Sequence, residues 1–168
     1  MKKGLSTLFV SLFVVGNFSS AALADSEIKS VVNEFEGTEV INGEAVEYTG
    51  VEVTSEEELE STHEFVAFAK AGKRNASVVA KKPLFTDFYA TAKSTATYKQ
   101  NTIGAKVRVL KDDGRSLGSK SDSQKNSTIA SATVYPGHIG PTRTTAYGNH
   151  TFKRTGFKDW FPETKKTF

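Results

Sequence analysis

Residues 75–168 are rich in Thr, Ser, Val, Ala, Tyr and Phe and poor in Leu and Glu, and no other feature of the chain restricts its fold as strongly. β-Branched and aromatic residues favour strands over helices. Residues 105–109 alternate between apolar and cationic side chains, which is typical of a strand with one buried face. The sequence therefore predicts a β-rich domain over residues 75–168, an antiparallel β-sandwich or small barrel.

Turn signals divide this domain. Strands are predicted over residues 84–92, 105–109, 128–135 and 144–152, and Asp112-Asp113-Gly114 predicts a turn. Residues 118–127 are polar throughout and are interpreted as a loop.

The segment before this domain, residues 25–74, predicts a different local structure. Asn42-Gly43 between β-prone runs indicates a hairpin, because both residues tolerate positive φ. Ser55 and Glu58 match a capping box, which predicts a short helix from about Ser55 to Lys70. Residues 65–69 are apolar on all sides, and a strand is the alternative for this end. The expected fold class is mainly β with a minor N-terminal α/β segment.

The first 24 residues have the three parts of a secretory signal peptide. Lys2 and Lys3 precede an apolar run from Leu5 to Phe18, and small residues follow up to Ala24. The run is too short to span a bilayer as a helix. We therefore expect cleavage after Ala24 and a secreted, extracellular protein, with an uncleaved membrane anchor as the alternative.

Charge is sorted along the chain. Residues 25–70 contain 13 Asp and Glu against two Lys, a net charge of −11, and residues 71–168 contain 18 Lys and Arg against six acids, a net charge of +12. Three interpretations are open: the acidic segment packs on the basic part, it is a masking propeptide removed near residue 74, or it is a mobile solubilising tail.

The C-terminal stretch interleaves aromatic and cationic side chains, a combination that binds sugars, bases or anionic surfaces. The alternative is that its aromatic rings close the core while the lysines stay outside. The binding residues predicted on the first interpretation are Arg143, His150, Lys153, Arg154, Phe157, Lys158, Trp160, Lys165 and Lys166.

Catalytic motifs are missing from the sequence. Cysteine is absent, which excludes a thiol nucleophile, a disulfide scaffold and a Cys-ligated zinc site. No Gly-x-Ser-x-Gly elbow and no phosphate-binding glycine loop occur. His138 and His150 with Asp112 or Asp113 are the remaining candidates for a metal or acid–base site, but we expect no metal and no cofactor.

These observations favour a secreted, non-enzymatic β-rich binding protein with a cationic face for an anionic extracellular polymer or cell surface. A membrane surface is a further candidate partner, and no specific nucleic acid is expected. Two alternatives remain: the precursor of a cationic antimicrobial or toxin-like domain masked by residues 25–74, and a small secreted hydrolase using His138 or His150.

Overall fold

Antiparallel strands dominate the computed structural model, which describes residues 28–41, 44–60, 70–81, 88–137 and 143–167. Within these residues seven strands form one curled sheet, a half-barrel. The strands are β1 (Ser30–Ile41), β2 (Glu44–Glu56), β3 (Lys73–Lys81), β4 (Phe88–Lys111), β5 (Ser116–Gly137), β6 (Thr144–Lys153) and β7 (Glu163–Thr167). The predicted signal peptide, the Asn42-Gly43 turn and His138 lie outside the described residues.

The long β4–β5 hairpin organises the sheet. The strand order is β1-β2-β3-β4-β6-β7, and β5 pairs with β4. The first part of β4 pairs with β3, from Tyr89 to Ala96, and its second part pairs with β6, from Thr102 to Lys111. We call β1–β3 with the adjoining ends of β4 and β5 the first lobe, and β6–β7 with the remainder of β4 and β5 the second lobe.

A large bulge separates the two lobes. The β4–β5 register shifts between Thr95 and Gln100, so that residues 96–99 of β4 lie opposite Thr128 alone. A bulge bends a strand and redirects its side chains. The buried positions of β4 are accordingly even-numbered before the bulge and odd-numbered after it: Phe88, Ala90, Ala92 and Ser94, then Ile103, Ala105, Val107 and Val109. β3 contacts both β6 and β7, so the inner faces of the lobes meet.

One core fills the space between the lobes. Small residues dominate it, and it contains few large side chains. The buried residues of this core are Val51, Val53, Ala76, Val78, Ala80, Phe88, Ala90, Ala92, Ile103, Ala105, Val107, Val109, Ala130, Ala132, Ala146, Phe152 and Trp160. Val51 and Val53 belong to the acidic segment, and β2 pairs with β3 along the whole of β3. The boundary expected near residue 74 falls inside β3.

The expectation of a mainly β, antiparallel fold is confirmed. The hairpin at residues 40–46 is matched by the pairing of Ile41 with Glu44, and Gly114 forms the expected turn with a φ of 80°. The prediction of a polar loop over residues 118–127 is wrong. This stretch belongs to β5, because its backbone pairs with β4 although its side chains are polar, as is common in edge strands.

The predicted N-terminal α/β segment is not supported. Ser55 is part of β2, and residues 57–60 continue without helical structure; residues 61–69 lie outside the described part. The local capping signal is overridden because the Glu57 side chain is buried and bonded to distant residues, as described below. No helix among the residues that the structure describes is long and apolar enough to cross a membrane.

Candidate functional site

The outer face of the second lobe carries a tyrosine between two cations. Residues that pair across antiparallel strands lie on the same face of a sheet. Arg108 of β4 pairs with Tyr147 of β6, and Tyr147 pairs with Lys165 of β7. The Arg108 guanidinium lies 5.6 Å from the centre of the Tyr147 ring, and the Lys165 ammonium lies 5.4 Å from it. Both distances are within the range of cation–π attraction.

Three further lysines lie on this face. Lys106 is two residues before Arg108 and therefore points the same way. Lys125 of β5 and Lys153 of β6 both pair with Thr102. All three lysines are exposed. We call the set Lys106, Arg108, Lys125, Tyr147, Lys153 and Lys165 the cationic outer face; from Thr102 to Arg108 it extends about 20 Å along β4.

Two carboxylates accompany these five cations among the described residues. Glu163 accepts hydrogen bonds from Arg108 at 3.4 Å and from Asn149 at 2.8 Å, and Asp159 pairs with Lys153 at 3.0 Å. Exposed pairs of this kind contribute only about 0–1 kcal/mol. The carboxylates therefore leave a formal excess of positive charge on this face, and a partner with stronger anionic groups can compete for Arg108 and Lys153.

Serine hydroxyls line the edge of the same face. Ser119, Ser121 and Ser123 of β5 pair with Arg108, Lys106 and Gly104 respectively. Because paired residues point to the same side, these hydroxyls lie beside the cations. A hydroxyl can donate a hydrogen bond to an anionic oxygen, so the arrangement offers both charge and hydrogen bonds to an anion.

The structure divides the residues that the sequence predicted for binding. Lys153 and Lys165 belong to the cationic outer face, and Arg143 is exposed directly before β6. Three other predicted cations pair with carboxylates of the acidic segment. These pairs are Lys158 with Glu58 at 3.4 Å, Lys166 with Glu34 at 2.8 Å, and Arg154 with Glu57. The acidic segment thus lies on the basic part, in the manner of the first of the three interpretations.

Glu57 is the centre of a buried ionic cluster at the bend between the lobes. Its carboxylate accepts hydrogen bonds from the backbone N–H of Gly72 and the side-chain amide of Gln100, both at 2.8 Å, and from Arg154 at 2.5 Å. The Arg154 guanidinium lies over the rings of Tyr98 and Phe157, at 4.7 and 4.4 Å. The contacts of Arg154 therefore connect residues of both lobes.

Arg74 is a second buried cation at this bend. Its guanidinium donates to the backbone oxygens of Lys158 at 2.8 Å and Glu56 at 3.1 Å, and it lies 5.1 Å from the Trp160 ring centre. Burial lowers the pKa of Arg74, and the nearby Glu57 carboxylate opposes that shift.

Phe157 and Trp160 are both buried, as the core-closing alternative for the C-terminal aromatics predicts. Their rings are therefore covered by the protein itself.

His150 lies inside the second lobe. Its Nδ1 is 2.9 Å from the Ser94 hydroxyl, and its Nε2 is 2.9 Å from the Thr164 hydroxyl. Ser94 donates to the backbone oxygen of Gly104, so Nδ1 carries the proton and Nε2 accepts from Thr164. Burial lowers the pKa of His150 to about 4. His150 is thus a neutral core residue, only 2% exposed, and it does not lie on the cationic outer face.

Among the residues that the structure describes, no group of three or more His, Asp or Glu side chains is arranged to hold a metal ion.

Sequence reasoning missed four members of the cationic outer face: Lys106, Arg108, Lys125 and Tyr147. The alternation of residues 105–109 already placed Lys106 and Arg108 on one side of a strand. No local signal pointed to Lys125 or Tyr147, because only the pairing of β5 and β6 with β4 brings them there.

Comparisons with known proteins add no further assignment. No protein-family model, curated protein or solved structure matches this chain.

Proposed function

We propose that the protein is a non-enzymatic binding protein for an anionic extracellular polymer or cell surface, and that it binds through the cationic outer face. The observation that carries the proposal is the position of Tyr147 between Arg108 and Lys165, on a face with three more lysines. The paired strands fix the backbone at each cation, so only the side chains of the lysines and of Arg108 lose freedom when an anion binds.

The shape of the face favours a polymer over a small molecule. Its cations are spread over a length of about 20 Å on one side of a sheet. A repeating anion can contact several of them at once, and each additional contact raises the effective concentration of the next anionic group. Ser119, Ser121 and Ser123 supply hydrogen-bond donors along the same edge.

We also propose that the chain is exported and cleaved after Ala24, as its N-terminal sequence predicts. Mass spectrometry of protein recovered outside the cell should then find a 144-residue chain beginning at Asp25. A mass that begins near residue 75 would instead support the propeptide alternative. Recovery of the full-length chain from the membrane would support the anchor.

Titration calorimetry with inorganic polyphosphate tests the binding proposal. The double variant Arg108→Gln/Lys165→Gln should bind polyphosphate roughly tenfold more weakly at low salt. The matched control is Lys120→Gln, which removes one exposed lysine from β5; Lys120 pairs with the buried Val107 and therefore points to the opposite side of the sheet. The control should bind polyphosphate as the parent protein does.

The salt dependence of polyphosphate binding can contradict the proposal. Charge-driven binding should weaken as ionic strength rises, because the Debye length falls to about 3 Å at 1 M salt. Polyphosphate binding that persists undiminished in such salt, or that Lys120→Gln weakens as much as the double variant, would contradict the proposal.

A further inference from the structure

The first half of β5 is an open edge of the sheet. Among the described strands β5 pairs with β4 alone, so one side of its backbone has no neighbouring strand. Residues 119–121 and 123–124 are all exposed, although successive residues of a strand point to opposite faces. Both faces of the sheet are therefore open to solvent beside this stretch. We call residues 118–124 the open edge.

The second half of β5 has a protected edge instead. The Ser127 hydroxyl accepts a hydrogen bond from the Ile129 N–H at 3.1 Å, and the Asp122 carboxylate accepts one from the Ser131 N–H at 2.9 Å. These side chains occupy backbone donors that an additional strand would need. No side chain in the described part of the chain occupies a backbone N–H of the open edge in this way. An added strand therefore fits the first half of β5 better than the second.

The open edge is complementary in charge to itself. In chain order it reads Gly-Ser-Lys-Ser-Asp-Ser-Gln. A two-fold axis normal to the sheet adds a second copy antiparallel to the first, and each residue then lies opposite one that points to the same face. With Ser121 on this axis, Lys120 lies opposite Asp122 of the second copy, and the pair occurs twice. Moving the axis by one residue places Lys120 opposite itself or Asp122 opposite itself, and like charges directly opposite each other are destabilising.

We propose that two copies of this chain dimerise by antiparallel pairing of their open edges, with Ser121 on the two-fold axis. The Asp122 carboxylate already accepts hydrogen bonds from the Gln124 amide at 2.6 Å and from the Ser131 N–H. A carboxylate has about four acceptor sites, so it can also accept from Lys120 of the second copy. Lys120 and Gln124 point to the inner side and are exposed there, so the first lobe leaves this side accessible.

The dimer extends the cationic outer face, because the two-fold axis keeps the outer faces of both copies on one side of a joined sheet. Lys106 pairs with Ser121. The two Lys106 residues are then three strand spacings apart, about 14 Å. A linear polyanion can contact both copies at once, which raises the effective concentration of its anionic groups. The dimer itself does not depend on the anionic-polymer proposal, since its pairing needs no ligand.

Cysteine cross-linking tests the register, because the chain contains no cysteine of its own. Ser121→Cys should form disulfide-linked dimers on mild oxidation, since the Cα atoms of directly opposed residues lie about 4.5–5.5 Å apart, within disulfide range. The matched control is Ser119→Cys, whose two copies lie about 14 Å apart in this register and should stay monomeric on non-reducing gels. An equimolar mixture of Ser119→Cys and Ser123→Cys should cross-link, because these positions face each other. Folded Ser121→Cys protein that cross-links no faster than Ser119→Cys would overturn the proposal.

Sedimentation equilibrium tests the charge pairs independently of any cysteine. Lys120→Glu places two carboxylates opposite each other twice and should weaken the dimer roughly tenfold, whereas the swap Lys120→Glu/Asp122→Lys should restore it. The control Lys93→Glu makes the same change of charge at an exposed site outside the open edge and should remain dimeric. Lys120→Gln adds no repulsion and should also remain dimeric.

The possible failures are distinguishable. A parent protein that sediments as a monomer at every concentration would overturn the dimer, and so would equal weakening by Lys120→Glu and Lys93→Glu. Loss of the anionic-polymer proposal would look different: the parent protein would remain dimeric but would not bind polyphosphate at low salt.

Discussion

Two regions of the molecule each combine a glutamate, an arginine and a tyrosine, but the two sets differ in their exposure to solvent. At the bend between the lobes, Glu57 pairs with Arg154, whose guanidinium lies over Tyr98. On the second lobe, Glu163 pairs with Arg108, whose guanidinium lies over Tyr147. We call these sets the bend triad and the surface triad. The Glu57 side chain is 1% exposed and that of Glu163 is 50% exposed.

This difference in burial decides what each arginine can do. In the bend triad the carboxylate is shielded from water and must be compensated by its partners, so Arg154 is required for the stability of the fold. In the surface triad both charges remain hydrated, and their pairing contributes little, so Arg108 is available to a partner. Net charge along the chain does not distinguish the two arginines, but the burial of the carboxylate with which each one pairs does.

The largest effect is expected from breaking the bend triad. Glu57→Ala should lower the free energy of unfolding by about 3–5 kcal/mol, because it leaves the Arg154 guanidinium and the Gln100 amide without their buried partner. Urea denaturation measures this loss. The matched variant Glu163→Ala should cost less than about 1 kcal/mol. Equal losses for the two variants would remove the distinction between the triads.

Acid should destabilise the folded protein through His150, because this histidine is buried. Its pKa in the folded protein is about 4, below the usual 6.5, so only the neutral form is favoured by folding. The burial of neutral His150 contributes fully to the free energy of unfolding above pH 6.5. This contribution falls by about 3 kcal/mol in total as the pH is lowered towards 4, because the unfolded chain takes up a proton on His150 that the folded chain does not. Denaturation curves across this range should show the loss in the parent protein. The loss should be smaller in His150→Gln; an identical pH dependence would contradict the assignment.

A smaller effect should distinguish the inner and outer sides of the second lobe. Gly148 lies on the inner side, where a Cβ would meet the Thr164 hydroxyl and come within 2.7 Å of His150 Nε2. Gly148→Ala should therefore lower the free energy of unfolding by about 1–3 kcal/mol in thermal melts. Gly104 is the control, since the nearest atom to its Cβ would be Thr151 Cβ at 3.4 Å. Greater destabilisation by Gly104→Ala would show that the sides are misassigned.

The smallest change in stability is expected for Glu163→Gln. This variant tests whether the surface triad affects the binding of an anion rather than the stability of the fold. The stability should change by less than about 0.5 kcal/mol, because the pair is exposed. Polyphosphate should nevertheless bind about two- to threefold more tightly, since the variant frees Arg108 and removes a negative charge from the face. Calorimetric titration of the variant at low salt measures the change, and weaker binding would be inconsistent with an anionic ligand there.

The sequence predicted parts of β4, β5 and β6 because strand alternation is a local pattern, but it did not predict β3 or β7. Residues 105–109 alternate within a single strand, and the turn at Gly114 needs only its own neighbours. The bulge at residues 96–99 carried no such signal, and it reverses which positions of β4 are buried. The capping box at Ser55 was misleading because Glu57 gains more from distant partners than from a helix end. Lys158 and Lys166 looked available in sequence, but Glu58 and Glu34 lie beside them only in the folded chain.

Lysine acylation read out by mass spectrometry, with and without polyphosphate, tests the central claim most directly. The claim is that strand orientation selects which cations bind an anionic polymer. Polyphosphate should protect Lys106, Lys125, Lys153 and Lys165, and it should leave Lys93 and Lys120, which are also exposed but lie elsewhere on the sheet, as reactive as before. Protection of Lys93 and Lys120 equal to that of the other four lysines would contradict the account.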